Sequence, residues 1–277
     1  MTSTVSRISA RVAARFKKKM VSDKGNTIYQ YSARQVALRN SKKAERLEKL
    51  RKSVHKLRAQ VKKDLASGDP DKVLTALVVG LMDHTAERVG NDESAEERGH
   101  FGVTGWQKGH VSFSKGKATV KYVGKSGVKQ KKVVSEKTLV KALKDAHAAC
   151  EDDDLFCHDR GKITAAKVNA YLKKFDITAK DLRGLHANSR MQDALKAARK
   201  AGGELPTDPK KRKALLKKEW KKALEETAAD VGHEPSTLNS QYLVPGLEEE
   251  FMKGGKVTDE MVKTASRVAT LYLAGAL

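Results

Sequence analysis

In VGHEPSTLNSQY, residues 231–242, a histidine precedes a tyrosine by nine positions. A tyrosine hydroxyl can attack the phosphorus of a phosphodiester and hold it covalently. The non-bridging oxygens gain negative charge as that bond forms, so cations must meet them. Arginine suits this role, because its planar guanidinium is always charged and pairs two oxygens at once. The departing 5′-oxygen needs a proton, which a lysine or histidine supplies. The tyrosine must also be held in line with the bond that breaks. The chain offers Arg88 in ERVGND, Lys125 in VGKSGV and Arg183 in TAKDLRGLHAN, together with His233 and Tyr242. With side-chain cations in these places no metal is required, and no cofactor is expected. Each residue also has a plainer reading. Arg88 would cap a helix beside Gly90, Lys125 would be a solvated turn lysine, and Arg183 an exposed helix residue. His233 and Tyr242 would simply lie at a helix start.

The hydrophobic pattern says which elements must carry these residues. From about Ser32 to Ala66 the chain reads as a basic helix, with Leu47, Leu50, Val54, Leu57 and Val61 recurring at three and four residues on one face. SGDPD stops it. A second helix runs from Asp71 to about Arg88 around VLTALVVGLM, which puts Arg88 at its end. Near His110 the period changes to two, and three strands fit between about 110 and 135, turning at Lys115–Lys117 and Lys125–Gly127. Lys125 therefore stands on a hairpin tip, a shape that can enter a DNA groove. Helices follow at roughly 136–149, 163–174, 178–200, 210–231, 236–241 and 258–275. Arg183 falls early in the helix that begins near Thr178, where backbone N–H groups favour an anion. Before all this, a turn at Asp23–Asn26 precedes the strand-like TIYQY. The fold class is mainly α with a small antiparallel β-sheet (α+β).

Composition supports a polyanionic partner. Lys and Arg number 56 against 34 Asp and Glu, a net charge of +22. Such an excess favours nucleic acid first and an anionic membrane surface second. No apolar run approaches the ~18 residues of a membrane-spanning helix, and the basic N-terminus lacks a secretory apolar core. No GxxxxGK[ST], HExxH or CxxC occurs, so neither an ATP site nor a metal site is expected. Cys150 and Cys157 are the two cysteines. Free thiols in a reducing, intracellular setting are expected, with one disulfide as the alternative.

In order along the chain, ERVGN, GKSG, KDLR, GHEP and SQY resemble the motifs of the type IB DNA topoisomerases of poxvirus and bacterial kind. The long stretch RVGNDESAEERGHFGVTGWQKGHVSF is the strongest part of that likeness. The 37 positions between Arg88 and Lys125 and the nine between His233 and Tyr242 suit the family. The resemblance covers roughly residues 20 to 260. It implies the catalytic-core fold of DNA breaking-rejoining enzymes, no cofactor, and a monomer acting on double-stranded DNA. It implies that Tyr242 forms a DNA-(3′-phosphotyrosyl) link, that Arg88, Arg183 and His233 hold the scissile phosphate, and that Lys125 is the general acid. Lys180, His110, Lys108, Asn91, Tyr29 and Tyr31 are implied as further DNA contacts. It also divides the chain: residues 1–33 as a reduced N-terminal segment, remnant of a β-rich clamp, and 34–277 as the catalytic domain.

Some positions depart from the pattern. Gly105-Trp106 stands where leucine is usual, Gly109 where a basic residue is common, and Ser94 where an aromatic belongs. The run PKKRK, residues 209–213, reads as a basic, DNA-facing loop in preference to a nuclear signal. Two other functions compete. A tyrosine recombinase shares the chemistry, but commonly has histidine where this chain has Lys180. A non-enzymatic DNA-binding protein fits the composition, but would not need all five reactive positions.

Overall fold

The computed structural model describes residues 16–21, 27–31, 33–159 and 161–257. Helix dominates, beside a three-stranded antiparallel sheet and two short hairpins. The chain forms two compact units, one of residues 47–243 and one of residues 1–46 with 244–277.

In the smaller unit β1 (Phe16–Val21) pairs antiparallel with β2 (Thr27–Tyr31), from Phe16 opposite Tyr31 to Val21 opposite Thr27. The strand-like TIYQY is therefore a strand, while the turn expected at Asp23–Asn26 lies outside the described residues. Here also begins α1 (Ala33–Leu65), the basic helix. Leu47, Leu50, Val54, Leu57 and Val61, all in the larger unit, are buried as their spacing requires.

The centre of the larger unit is α2 (Pro70–Thr85), started by the Asp69 side chain, which accepts from the Asp71 N–H. Leu74 to Met82 are buried all round, so this is a core helix. Each such Leu or Val contributes about 1.5–3 kcal/mol on burial. The helix was expected to reach Arg88, but it stops at Thr85 because Ala86 adopts a left-handed conformation, φ 59°. Arg88 thus sits on the loop beyond the helix. That loop leads to α3 (Asp92–Arg98), a short helix the sequence pattern did not reveal.

The sheet follows as β3 (Val111–Ser114), β4 (Lys117–Val123) and β5 (Lys129–Val134), in that order. Lys115 and Gly116 both have positive φ, which gives the tight two-residue turn that a twisted hairpin prefers. Ala118, Val120 and Tyr122 of β4 and Gln130, Lys132 and Val134 of β5 are the buried alternates. Next come α4 (Lys137–Ala149), the small hairpin β6 (Cys157–His158) and β7 (Gly161–Lys162), and α5 (Ala165–Lys173). Cys150 and Cys157 are joined in a disulfide, against the expectation of free thiols. The turn between them returns the chain beside the end of α4 and brings the two sulfurs together.

Two long helices, α6 (Ala179–Gly202) and α7 (Pro209–Val231), pack against each other. Thr178 and Asp181 cap the first reciprocally. Arg199 pairs both oxygens of the buried Glu219 at 2.6 Å, tying the last turn of α6 to the middle of α7. PKKRK is not a loop: Pro209 starts α7 behind the Asp208 cap, and the basic run forms its first turn. The expected helix 236–241 is a three-residue helix, Pro235–Thr237, followed by a π turn, Leu238–Tyr242. In the smaller unit α8 (Leu247–Gly254) follows, and the helix expected at 258–275 lies outside the described residues.

Candidate active site

Arg88 is held by a crossing of two loops. Val103 N–H donates to the Arg88 carbonyl at 2.9 Å, and Thr104 N–H and Oγ1 both donate to the Val89 carbonyl. The backbones meet so closely that a Cβ on Gly102 would lie 2.4 Å from Gly90 Cα, and Gly90 itself has φ +120°. Only glycine fits either position. This is the structural reason for glycines in both RVGN and FGVT.

Arg183, in the second turn of α6, is buried, with its side chain 3% exposed. Its Nη2 donates to the Val231 carbonyl at the end of α7. Its Nε and Nη1 have no hydrogen-bond partner among the described residues. Burial and then the Arg88 guanidinium work against its charge, while Glu87 supports it. Gly232, φ +68°, ends α7 in the left-handed conformation, and His233 N–H returns to the Ala228 carbonyl at 2.8 Å. That turn aims the His233 ring back toward the arginines.

Arg88 Nη2 lies 3.4 Å from His233 Nδ1. A guanidinium only donates, so Nδ1 accepts and the ring proton belongs on Nε2. Burial, then Arg183, Arg88, Lys132 and Lys125, push the His233 pKa down to about 3. The ring is therefore neutral, with a buried Nε2–H that has no partner among the described residues. The Tyr242 ring packs on it at 4.4 Å between centroids. Tyr242 sits on the π turn, an irregularity frequent at functional sites. Asn188 fixes that turn by donating to the Tyr242 carbonyl at 2.9 Å and to the Gly184 carbonyl at 2.7 Å. Arg183 Cζ and Lys180 Nζ stand 6.0 and 5.8 Å from the Tyr242 ring centroid.

Lys125 is exposed on the turn between β4 and β5, closed by Gly124 N–H donating to the Val128 carbonyl. Two hollows of about 650 and 500 Å³ share Arg88, Lys125, Lys180 and Tyr242 in their walls. His233 lines the larger, and Arg183 and Asn91 the smaller. The five residues singled out from the sequence thus surround one place. Among the described residues no group of three His, Cys, Asp or Glu is arranged to hold a metal ion.

Of the other expected contacts, Lys108 and His110 line neither hollow. Lys108 Nζ donates to the Cys150 carbonyl. The His110 ring packs edge-on against Phe101 at 4.6 Å, and its Nδ1 accepts from Gln107 N–H. Tyr31 is exposed beside Arg39 in the smaller unit, and Tyr29 lies on β2.

The sequence profile described as "Eukaryotic DNA topoisomerase I, catalytic core" matches residues 32–249. The chain belongs to that family. Among relatives, DNA topoisomerase 1B of vaccinia virus (strain Copenhagen) is 26% identical over 244 residues, spanning 87% of this chain and 74% of that protein. DNA topoisomerase I of monkeypox virus is 25% identical over the same length and shares of the two chains. A crystal structure of the XerH site-specific recombinase bound to difH substrate superposes with a TM-score of 0.45 at 15% identity, covering 98% of this chain and 66% of that one.

In this topoisomerase family member, three residues of the site escaped the sequence reading: Glu87, Lys132 and Asn188. A signal existed for Lys132, because alternation along KQKKVV puts it on the same face as Val134. Glu87 carried none, since a glutamate before an arginine at a helix end reads as solvated.

Proposed function

We propose that this protein is a type IB DNA topoisomerase that relaxes supercoiled double-stranded DNA through a transient single-strand cut. Tyr242 Oη gives up its proton to water as it attacks the scissile phosphorus and forms a DNA-(3′-phosphotyrosyl) link. Lys125 protonates the departing 5′-oxygen, which leaves as a hydroxyl. The guanidinium groups of Arg88 and Arg183 and the neutral Nε2–H of His233 meet the non-bridging oxygens as their charge grows. In the return step the 5′-hydroxyl attacks the same phosphorus, Lys125 takes its proton, and Tyr242 departs and regains a proton from water. The energy of the broken bond stays in the phosphotyrosine, so neither ATP nor a divalent metal takes part. Lys180, exposed beside Tyr242, meets the DNA backbone, and Asn91, Lys108, His110, Tyr29 and Tyr31 extend that contact. The catalytic domain begins near residue 34, and one copy suffices.

One observation carries this reading. Three buried donors beside Tyr242, namely Arg183 Nε, Arg183 Nη1 and His233 Nε2, lack hydrogen-bond partners among the described residues. Buried donors are normally satisfied, so such a set calls for an anion with several acceptor oxygens. A phosphodiester has them. The test is plasmid relaxation in EDTA, run beside Tyr242→Phe. Relaxation of both positive and negative supercoils by the wild type alone is expected. Activity that vanishes with EDTA and returns only with Mg²⁺ counts against the mechanism.

A further inference from the structure

Beneath the five positions lies a buried charge cluster that their chemistry does not use. The Glu87 side chain is 3% exposed. Its Oε1 lies 3.1 Å from Lys132 Nζ, itself 7% exposed, and its Oε2 lies 3.8 Å from Arg183 Nη1. The same Oε2 accepts from the Arg88 N–H at 3.2 Å. Lys132 Nζ also donates to the Asp230 carbonyl, one residue before the Val231 carbonyl that receives Arg183. The carboxylate therefore touches the loop of Arg88, the strand β5 and the helix α6 that carries Arg183.

The distances rank these contacts. Glu87 is engaged by Lys132 and by the Arg88 N–H, and reaches Arg183 only at longer range. A buried guanidinium with no counter-charge is costly. A buried guanidinium in a close two-pronged pair with a carboxylate has no donors left for a phosphate. The cluster avoids both: Glu87 compensates Arg183, while Lys132 keeps the carboxylate from capturing it.

We infer that Glu87 is a positioning residue for Arg183, with Lys132 as its buried counter-charge, holding the guanidinium oriented while its Nε and Nη1 stay open to the phosphate. The inference rests on the reading of the site given above. Glu87 acts through Arg183 and touches neither DNA nor the reacting atoms.

The experiment is single-turnover formation of the covalent adduct on a short DNA duplex. Glu87→Gln removes the charge, and Glu87→Asp keeps the charge but withdraws it by one methylene. Each is made in the wild type and in Arg183→Ala, with duplex affinity and melting temperature measured alongside. Should Glu87→Gln not fold, Glu87→Asp carries the same comparison. In the wild-type background the expected result is a cleavage rate roughly 10–100-fold lower, the scale of a small misplacement of a catalytic group. Duplex affinity should stay within about twofold, because the lost interaction belongs to the transition state. In the Arg183→Ala background the same substitutions should slow cleavage by less than about threefold, since interacting residues are non-additive. Equal slowing in both backgrounds overturns the proposal, as does a wild-type rate for both Glu87 variants. If wild-type protein forms no adduct at all, the reading of the site itself fails. If Arg183→Ala slows cleavage while the Glu87 variants do not, only the positioning role falls.

Discussion

The floor of the site and the hairpin above it are built on opposite plans. On the floor, Arg183 is fixed by the Val231 carbonyl, faced by Glu87, and out of solvent. On the hairpin, Lys125 is exposed on a turn of three residues. The contrast matches the roles proposed for the two residues, charge stabilisation for Arg183 and proton donation for Lys125. Charge stabilisation gains most from groups that are already oriented and desolvated before the reaction. A proton donor must meet an oxygen that moves away as its bond breaks, and must still reach it to take the proton back when the bond re-forms. Burial suits the first task and exposure the second.

The contrast is broken first by removing the proposed nucleophile, which both regions would serve. Tyr242→Phe keeps the ring packed on His233 and removes only the oxygen. Covalent adduct should disappear, with duplex affinity within about twofold of wild type, as expected when only transition-state chemistry is lost. An adduct that persists points to another tyrosine. Tyr171 is a poor substitute, because its hydroxyl is buried and donates to Asp64 at 2.7 Å.

The two regions separate when the leaving group is changed. Arg183→Ala should slow cleavage by about 10²–10³-fold, the scale of losing a preorganised charge stabiliser. Lys125→Ala should slow it by about 10²–10⁴-fold, the scale of losing a general acid. A 5′-bridging phosphorothiolate expels a thiolate that needs little protonation. On that substrate Lys125→Ala should recover most of its rate and Arg183→Ala much less. Equal rescue of both removes Lys125 from the acid role.

The smallest effect concerns the floor's histidine. His233 has a pKa near 3 in the DNA-free fold against about 6.5 when unfolded. Between those values the unfolded chain binds a proton that the folded chain does not. Its contribution to stability is thus complete above pH 6.5 and is lost as pH falls toward 3. His233→Gln, which cannot titrate, should show a smaller drop in melting temperature from pH 7 to pH 5 than wild type. His84 and His110, whose pKa values burial also lowers, are common to both proteins and cancel. A drop at least as large in the variant contradicts the assignment of a neutral ring.

What the sequence disclosed divides along similar lines. Helix periods, the strand alternation around Val120 and the turn at Lys115–Gly116 are local signals, and most of the described elements appear near where they predict. The five positions that surround the site were legible because their motifs resemble, in order and spacing, those of a known family. The end of the helix at Thr85 was not, since an alanine in the left-handed conformation has no compositional mark. The pairing of Glu87 with Lys132 joins residues 45 positions apart in the chain, and nothing local announces it. PKKRK was misread as a loop because its charge hides the Asp-Pro helix start just before it. The disulfide was misjudged because spacing alone does not reveal whether two cysteines meet.

The most direct test is to identify the bond itself. A duplex labelled within the cleaved strand is incubated with the protein in EDTA, trapped by denaturation and digested, and the modified peptide is read by mass spectrometry. A 3′-phosphoryl group on Tyr242, with a free 5′-hydroxyl on the other fragment, is the expected result. Attachment to another residue, or through a 5′-phosphate, would contradict it.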